Sequence, residues 1–204
     1  MSPSKRKILD KAFSLFLIKN YDSVSLKDIQ DLSETSRGSI YHHFRSKEEI
    51  YEEVVNEYLL PLFFTYSYTP DEEKRTLQDT ILGAIKHQQN HINSLKEIVP
   101  AELVDFYFFK FVFQASEHSK KFKEEAGTLV EKEYNGWRNI IQAAMRSGEI
   151  RADIDIDYAS QWFISTPFGL GMTKAFNTVN FNIGDLRTTY LKLYALLKKT
   201  SIYG

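Results

Sequence analysis

Residues 25–44 read SLKDIQDLSETSRGSIYHHF, and two short helical patterns meet in them around a polar break. Ser25, with Asp28 three residues on, supplies an oxygen-bearing cap ahead of an apolar repeat at Leu26, Ile29 and Leu32. A capping box prefers Glu or Gln in the second position, so Asp28 is the weaker variant. Ser33-Glu34-Thr35-Ser36 interrupts the period, and its side-chain oxygens suit the free N–H groups that open a new helix. Gly38, Ile40, Tyr41 and Phe44 carry that helix, with Ile40 and Phe44 one turn apart on one face. Arg37, Ser39, His42 and His43 are left for the outside. A helix, a tight turn and a second helix with donors exposed near its start make a helix-turn-helix, which reads the major groove.

Working outward, the run from Lys5 to Glu49 resembles the DNA-binding domain of the TetR family of transcriptional regulators. The resemblance rests on Ile8-Leu9-Asp10-Lys11-Ala12-Phe13, Leu15-Phe16, Asn20-Tyr21 and Ser25-Leu26-Lys27-Asp28-Ile29. It continues through Ser36-Arg37-Gly38-Ser39-Ile40-Tyr41-His42-His43-Phe44 to Ser46-Lys47-Glu48-Glu49, in order and without a gap. Three positions depart from the family's habit. Glu34 stands where Gly is usual in the turn, Thr35 where a small apolar residue follows, and Asn20 where Gly is common. Asn tolerates left-handed backbone, so that change is mild, whereas Glu34 bears on the turn geometry.

Composition agrees with a globular regulator. The 204 residues are 43% apolar, enough for one core or two small ones. Absence of cysteine excludes a disulfide framework, a thiolate zinc site and a thiol nucleophile, and fits a reducing cytoplasm. No signal peptide and no membrane-length apolar run is read in the chain, so a cytoplasmic, membrane-free protein is expected. The net charge is −1, yet residues 1–50 hold nine Lys/Arg against seven Asp/Glu. That small asymmetry permits a phosphate-binding N-terminal domain without demanding one.

The first helix, Lys5 to Lys19, turns Ile8, Leu9, Ala12, Phe13 and Phe16 to one side and would cover the two helices that follow. Lys5, Arg6 and Lys7 at its start are a solvated tail or a phosphate-touching arm. Ser46 with Glu49 forms a capping box for a fourth helix, at whose start Lys47 would share a phosphate with backbone N–H groups. The resemblance supports that role for Lys47, and favours a phenol–phosphate bond for Tyr41 over core packing. Arg37 is the natural base reader, since its fork holds two acceptors of guanine. Lys27, Ser36 and Ser39 add candidate contacts. His42 and His43 diverge by about 100° on a helix and so cannot easily share a metal ion; one of them approaches the DNA.

Residues 51–69 continue the fourth helix as a connector, with Pro61 marking a kink or a break. His87 and His91 sit four apart in HQQNH, a metal-compatible spacing that lacks a third ligand nearby. The segment AELVDFYFFKFVFQA, residues 101–115, is apolar nearly all round and is expected at the centre of a second domain. Candidate pocket residues for a flat or hydrophobic effector are Phe63, Tyr66, Phe106, Phe109, Phe113, Trp137 and Trp162. Gly148 ends a helix begun at Lys120, and Asp157 is read as the cap of the next. The final helix pair offers Tyr158, Ser165 and Gly169, then Leu186, Tyr190, Leu193 and Leu197, as an isologous four-helix dimer face or as the closing layer of a monomer core.

No nucleophile elbow, phosphate-binding loop or dinucleotide fingerprint is present, so no enzyme, cofactor or metal is expected. The expectation is all-α, about nine helices. Residues 1–46 form a three-helix helix-turn-helix domain and residues 47–204 a helical effector-binding and dimerisation domain. The resemblance implies a homodimeric repressor on a palindromic duplex operator, released by a small hydrophobic or aromatic effector. An activator or partner-controlled regulator of the same type, a helical ligand carrier and a metal sensor using His87, His91 and His118 remain open.

Overall fold

The computed structural model describes residues 1–62, 76–176 and 182–198, and the chain is all-α. Among the described residues there are nine α-helices: α1 (Pro3–Ile18), α2 (Leu26–Ser33), α3 (Arg37–His43), α4 (Lys47–Val54), α5 (Leu77–Lys96), α6 (Ala101–His118), α7 (Lys120–Ser147), α8 (Ile156–Phe176) and α9 (Ile183–Leu197). None of the described helices is long and apolar enough to cross a membrane. The chain divides into two compact units, one of residues 1–63 with 91–128 and the other of residues 64–90 with 129–204.

In the first unit α1 begins at Pro3, whose missing N–H costs nothing in a first turn, and Ser2 caps it by accepting from Lys5 N. Its buried face is the expected one, Ile8, Leu9, Ala12, Phe13 and Phe16, extended by Leu17. Against it lie Val24, Ile29, Ile40, Phe44, Ile50, Tyr51 and Val54, all within 2% of full burial. Leu32, expected in the same apolar repeat, is 43% exposed. The buried stripe of α2 steps four residues from Ile29 to Ser33, whose hydroxyl is satisfied by Gln30 O and Thr35 Oγ1. That step leaves Leu32 on the rim.

At the connector the α-helix gives way to a π turn over Val55–Leu59 and then a 3-10 turn over Leu60–Leu62. Pro61 therefore changes the helix type around it. The expected centre of the second domain, α6, also behaves differently. Phe111 is fully buried and meets the rings of Phe13 at 5.6 Å and Tyr51 at 5.9 Å, inside the first unit. The C-terminal half of α6 is thus two-faced: Phe111, Gln114 and Ala115 point inward and Phe113 is 59% exposed.

The second unit closes around Leu77, Ile81, Ile85, Trp137, Ile141, Phe163, Leu186, Tyr190 and Leu197. Glu149 caps α5 from 71 and 72 residues away in sequence, accepting from Gln78 N at 3.2 Å and Leu77 N at 2.9 Å, while Tyr194 Oη donates to it at 2.9 Å. Gly148 makes the approach possible at φ 77°, the left-handed C-terminal position expected of it. The cap of α8 is Asp155, which accepts from the N–H groups of Asp157 and Tyr158. Asp157, expected in that role, instead binds Arg138 and Tyr134.

Pro167 lies inside α8 and has no N–H for the carbonyl of Phe163, four residues back. Tyr190 Oη donates to that carbonyl at 2.7 Å, and burial raises its pKa. Tyr190, Leu186 and Leu197, expected on a dimer face, are therefore core residues of their own chain, and Leu193 packs against the same core. Tyr190→Phe is expected to cost about 1–3 kcal/mol by leaving the Phe163 carbonyl without a donor. Adding Pro167→Ala should return much of that loss, because residue 167 then supplies the N–H. Equal urea midpoints for the single and double variants would break this account.

Candidate nucleic-acid interface

Ser25 and Asp28 complete the reciprocal capping box in full: Asp28 N donates to Ser25 Oγ at 3.1 Å and Ser25 N to Asp28 Oδ2 at 2.8 Å. Those bonds to Ser25, with Lys19 beside them, lower the Asp28 pKa from 3.8 to about 2. A depressed carboxylate stabilises above its unfolded pKa, so this contribution is present at neutral pH and lost as pH falls from about 4 towards 2. The turn bends at Glu34, φ 52° and ψ 36°, the left-handed conformation for which the family's Gly is suited. The turn thus keeps its geometry at a cost of about 1–2 kcal/mol. Lys7 pairs with the Glu34 carboxylate at 3.1 Å, though at an exposed site that offsets little.

Ser36 caps α3 by accepting from Ser39 N, and Ile40 and Phe44 anchor the helix inward, as expected. Outside stand Ser36, Arg37, Tyr41 and His42. The Arg37 guanidinium lies 5.5 Å over the half-exposed Tyr41 ring, which restrains the fork before any ligand arrives. Lys27 is exposed on α2. His43 is half-buried, its ring 4.8 Å from that of His42. Ser39 Oγ shares a hydrogen bond of 2.9 Å with Ser4 Oγ of α1. Lys47 is engaged internally: Nζ donates to Tyr21 O at 3.0 Å and lies 4.1 Å over the Tyr21 ring. Its phosphate role would require exchanging that carbonyl for an anion. The basic triplet is neither tail nor free arm, since Lys5 pairs with Glu53, Arg6 with Asp10 and Glu57, and Lys7 with Glu34.

Three further side chains, Tyr21, Gln114 and Glu52, hold this surface. Tyr21 stacks on His118 at 4.5 Å and donates from Oη to Glu48 Oε1 at 3.1 Å; burial, then Glu48, raises its pKa. Gln114 of α6, 7% exposed, accepts from Tyr21 N at 2.7 Å and donates to Phe16 O at 3.2 Å. Glu52 of α4 takes Ser119 Oγ and Lys120 N, both at 2.6 Å, and so caps α7. The one legible hint was a neutral amide, Gln114, set in an aromatic run.

Of the effector candidates, Phe109, Phe113, Trp137 and Trp162 have described side chains. Phe63 and Tyr66 lie outside the described residues, as does the side chain of Phe106. Phe109 is half-buried beside Phe108, 5.8 Å between rings, and Phe113 is exposed because its face of α6 looks outward. Trp137 is core, stacked on Phe163 at 4.6 Å, while Trp162 is 44% exposed on the opposite face of α8. Tyr158, Ser165 and Gly169 share that exposed face with Trp162. His91 Nε2 meets Tyr58 O at 3.2 Å, and His87 Nε2 is buried with no hydrogen-bond partner among the described residues. Among the described residues no group of three or more His, Cys, Asp or Glu is arranged to hold a metal ion.

Residues 8–54 match the family model described as bacterial regulatory proteins, tetR family. The chain is 26% identical over 172 residues to the HTH-type transcriptional repressor KstR2 of Mycolicibacterium smegmatis, covering 80% of this chain and 77% of that one. Over 51 residues it is 45% identical to IcaR of Staphylococcus aureus (strain Newman), the biofilm operon icaADBC HTH-type negative transcriptional regulator, 25% of this chain and 27% of IcaR. The fold resembles that of the SmeT–triclosan complex with a TM-score of 0.67 at 16% identity, over 100% of this chain and 95% of that one.

Proposed function

We propose that this chain, whose residues 8–54 carry a TetR-family DNA-binding domain, is a cytoplasmic transcriptional repressor that binds a palindromic operator as a homodimer and is released by a small hydrophobic effector. The observation that carries the reading is α3. Ile40 and Phe44 fix its inner face, while Arg37, Tyr41 and His42 stand outside on a left-handed turn of the family's kind. The curated relatives KstR2 and IcaR are named as negative regulators, which favours repression over activation.

Residues 1–46 read DNA in this proposal, and residues 47–204 take the effector and the second protomer. The dimer face is the exposed stripe of α8, Tyr158, Trp162, Ser165 and Gly169, joined by Leu196 of α9 at 67% exposure. Twofold pairing sets two copies of α3 into major grooves about 34–36 Å apart. Release requires an effector that binds the DNA-incompetent arrangement better than the competent one.

Selection of duplexes from a random pool by the purified protein, at a stated salt concentration, tests this. An enriched inverted repeat is the expected result, and weak salt-sensitive binding without enrichment would refute it. On the selected operator Arg37→Ala is expected to cost about 1–3 kcal/mol and to relax the preference at one base pair of each half-site. Uniform weakening on every sequence would move Arg37 from base to phosphate.

A further inference from the structure

Pro61 has no N–H to offer the carbonyls one turn behind it. Around it the chain forms the π turn of Val55–Leu59, in which Leu60 N donates five residues back to Val55 O, and then the 3-10 turn of Leu60–Leu62. Single π turns within helices recur at functional positions. Tyr58 sits in this one, 2% exposed, and is bonded at both ends. Its carbonyl accepts from His91 Nε2 of α5 at 3.2 Å, and its hydroxyl donates to Asp10 Oδ1 of α1 at 2.6 Å. The ring stacks on Phe13 at 4.6 Å, with the Arg6 guanidinium 5.4 Å over it. Arg6 also holds the Asp10 carboxylate at 3.0 Å, so the acceptor is itself oriented. One residue thus ties the connector to α5 and to α1, and α1 is the helix on which α2 and α3 pack.

We propose that Tyr58 is a positioning residue for DNA reading: through Asp10 it fixes the angle at which α1, and with it the α2–α3 pair, leaves the connector. The proposal rests on the dimeric reading above. A ring stack alone tolerates sliding, whereas a short bond to a carboxylate is directional and stronger than a neutral one. The angle matters because two heads must enter successive major grooves together, so half-site spacing reports it.

The test titrates wild type, Tyr58→Phe, Asp10→Leu and Asp10→Asn against the selected inverted repeat, against repeats with spacers altered by one or two base pairs, and against a single half-site. Tyr58→Phe and Asp10→Leu are expected to lose about tenfold of the preference for the selected spacing, the span of one charge-assisted hydrogen bond, with half-site affinity unchanged. Asp10→Asn, which keeps an acceptor for the hydroxyl, retains the preference. Full spacing preference in Tyr58→Phe would overturn the proposal, as would an equal loss on every duplex, half-site included. Absence of any spacing preference in the wild type would instead refute the dimeric reading, and this inference with it.

Discussion

Replacing Trp137 by Ala is expected to destabilise the protein by about 3–5 kcal/mol, the range for emptying a buried Trp site. Trp137 is 4% exposed, lies parallel to Phe163 at 4.6 Å and 12°, and meets Tyr190 edge-on at 5.9 Å. Around these rings pack Ile81, Ile85, Ile140, Ile141 and Leu186, so collapse into the space would have to displace side chains from four helices. The ring pair itself adds about 0.5–1.5 kcal/mol beyond the buried area. Urea unfolding reads the loss as a lower midpoint at nearly unchanged slope, in whichever transition belongs to the second unit. A Trp that lined an effector cavity would behave differently. Its truncation would leave the urea midpoint nearly unchanged and would instead alter effector affinity. That outcome would return Trp137 to the pocket where the sequence pattern placed it.

The N-terminal domain was legible because its determinants are local. Caps three residues apart, apolar residues one turn apart and a turn of polar residues fix α2 and α3 with little outside help, and the capping box of Ser25 and Asp28 forms as the spacing implied. The second half was legible as helices but not as faces. Leu186, Tyr190, Leu193 and Leu197 make a genuine stripe, yet periodicity cannot say whether a stripe meets its own chain or another. Pro167 decided the matter for Tyr190, since a carbonyl stripped of its partner in α8 needs a hydroxyl from α9. Near Pro61 the Tyr58 carbonyl, three residues back, is met by His91 from α5. A proline can be read directly, whereas the side chain that satisfies the carbonyl it leaves free depends on tertiary neighbours. Phe113 and Trp162 show the reverse error: large aromatics suggested a lining, and both stand on outward faces.

Gln114→Ala is expected to cost about 2–4 kcal/mol and to loosen the corner between α1 and Tyr21. The amide closes that corner from both sides. Its oxygen accepts from Tyr21 N at 2.7 Å, and its nitrogen donates to Phe16 O at 3.2 Å, one of the α1 carbonyls that the helix end leaves over. Truncation leaves a buried N–H and a carbonyl unpaired together, which costs more than the net worth of two bonds because neither group regains water. Lys110, one turn earlier on α6, donates to Ile18 O at 2.9 Å, so the corner stays attached and the variant should fold. The measurement is amide hydrogen exchange. Tyr21 N–H should lose protection in Gln114→Ala well beyond the global change, while amides in the second unit keep theirs. Gln114→Glu separates the two halves of the amide: it retains an acceptor for Tyr21 N but, when ionised, has no donor for Phe16 O. Protection at Tyr21 should then survive in part, and the stability deficit should shrink as acid restores a proton to the carboxyl. Unchanged exchange at Tyr21 in the Ala variant would mean that α1 holds this corner by apolar packing alone, with Phe111 against Phe13 as the contact that matters.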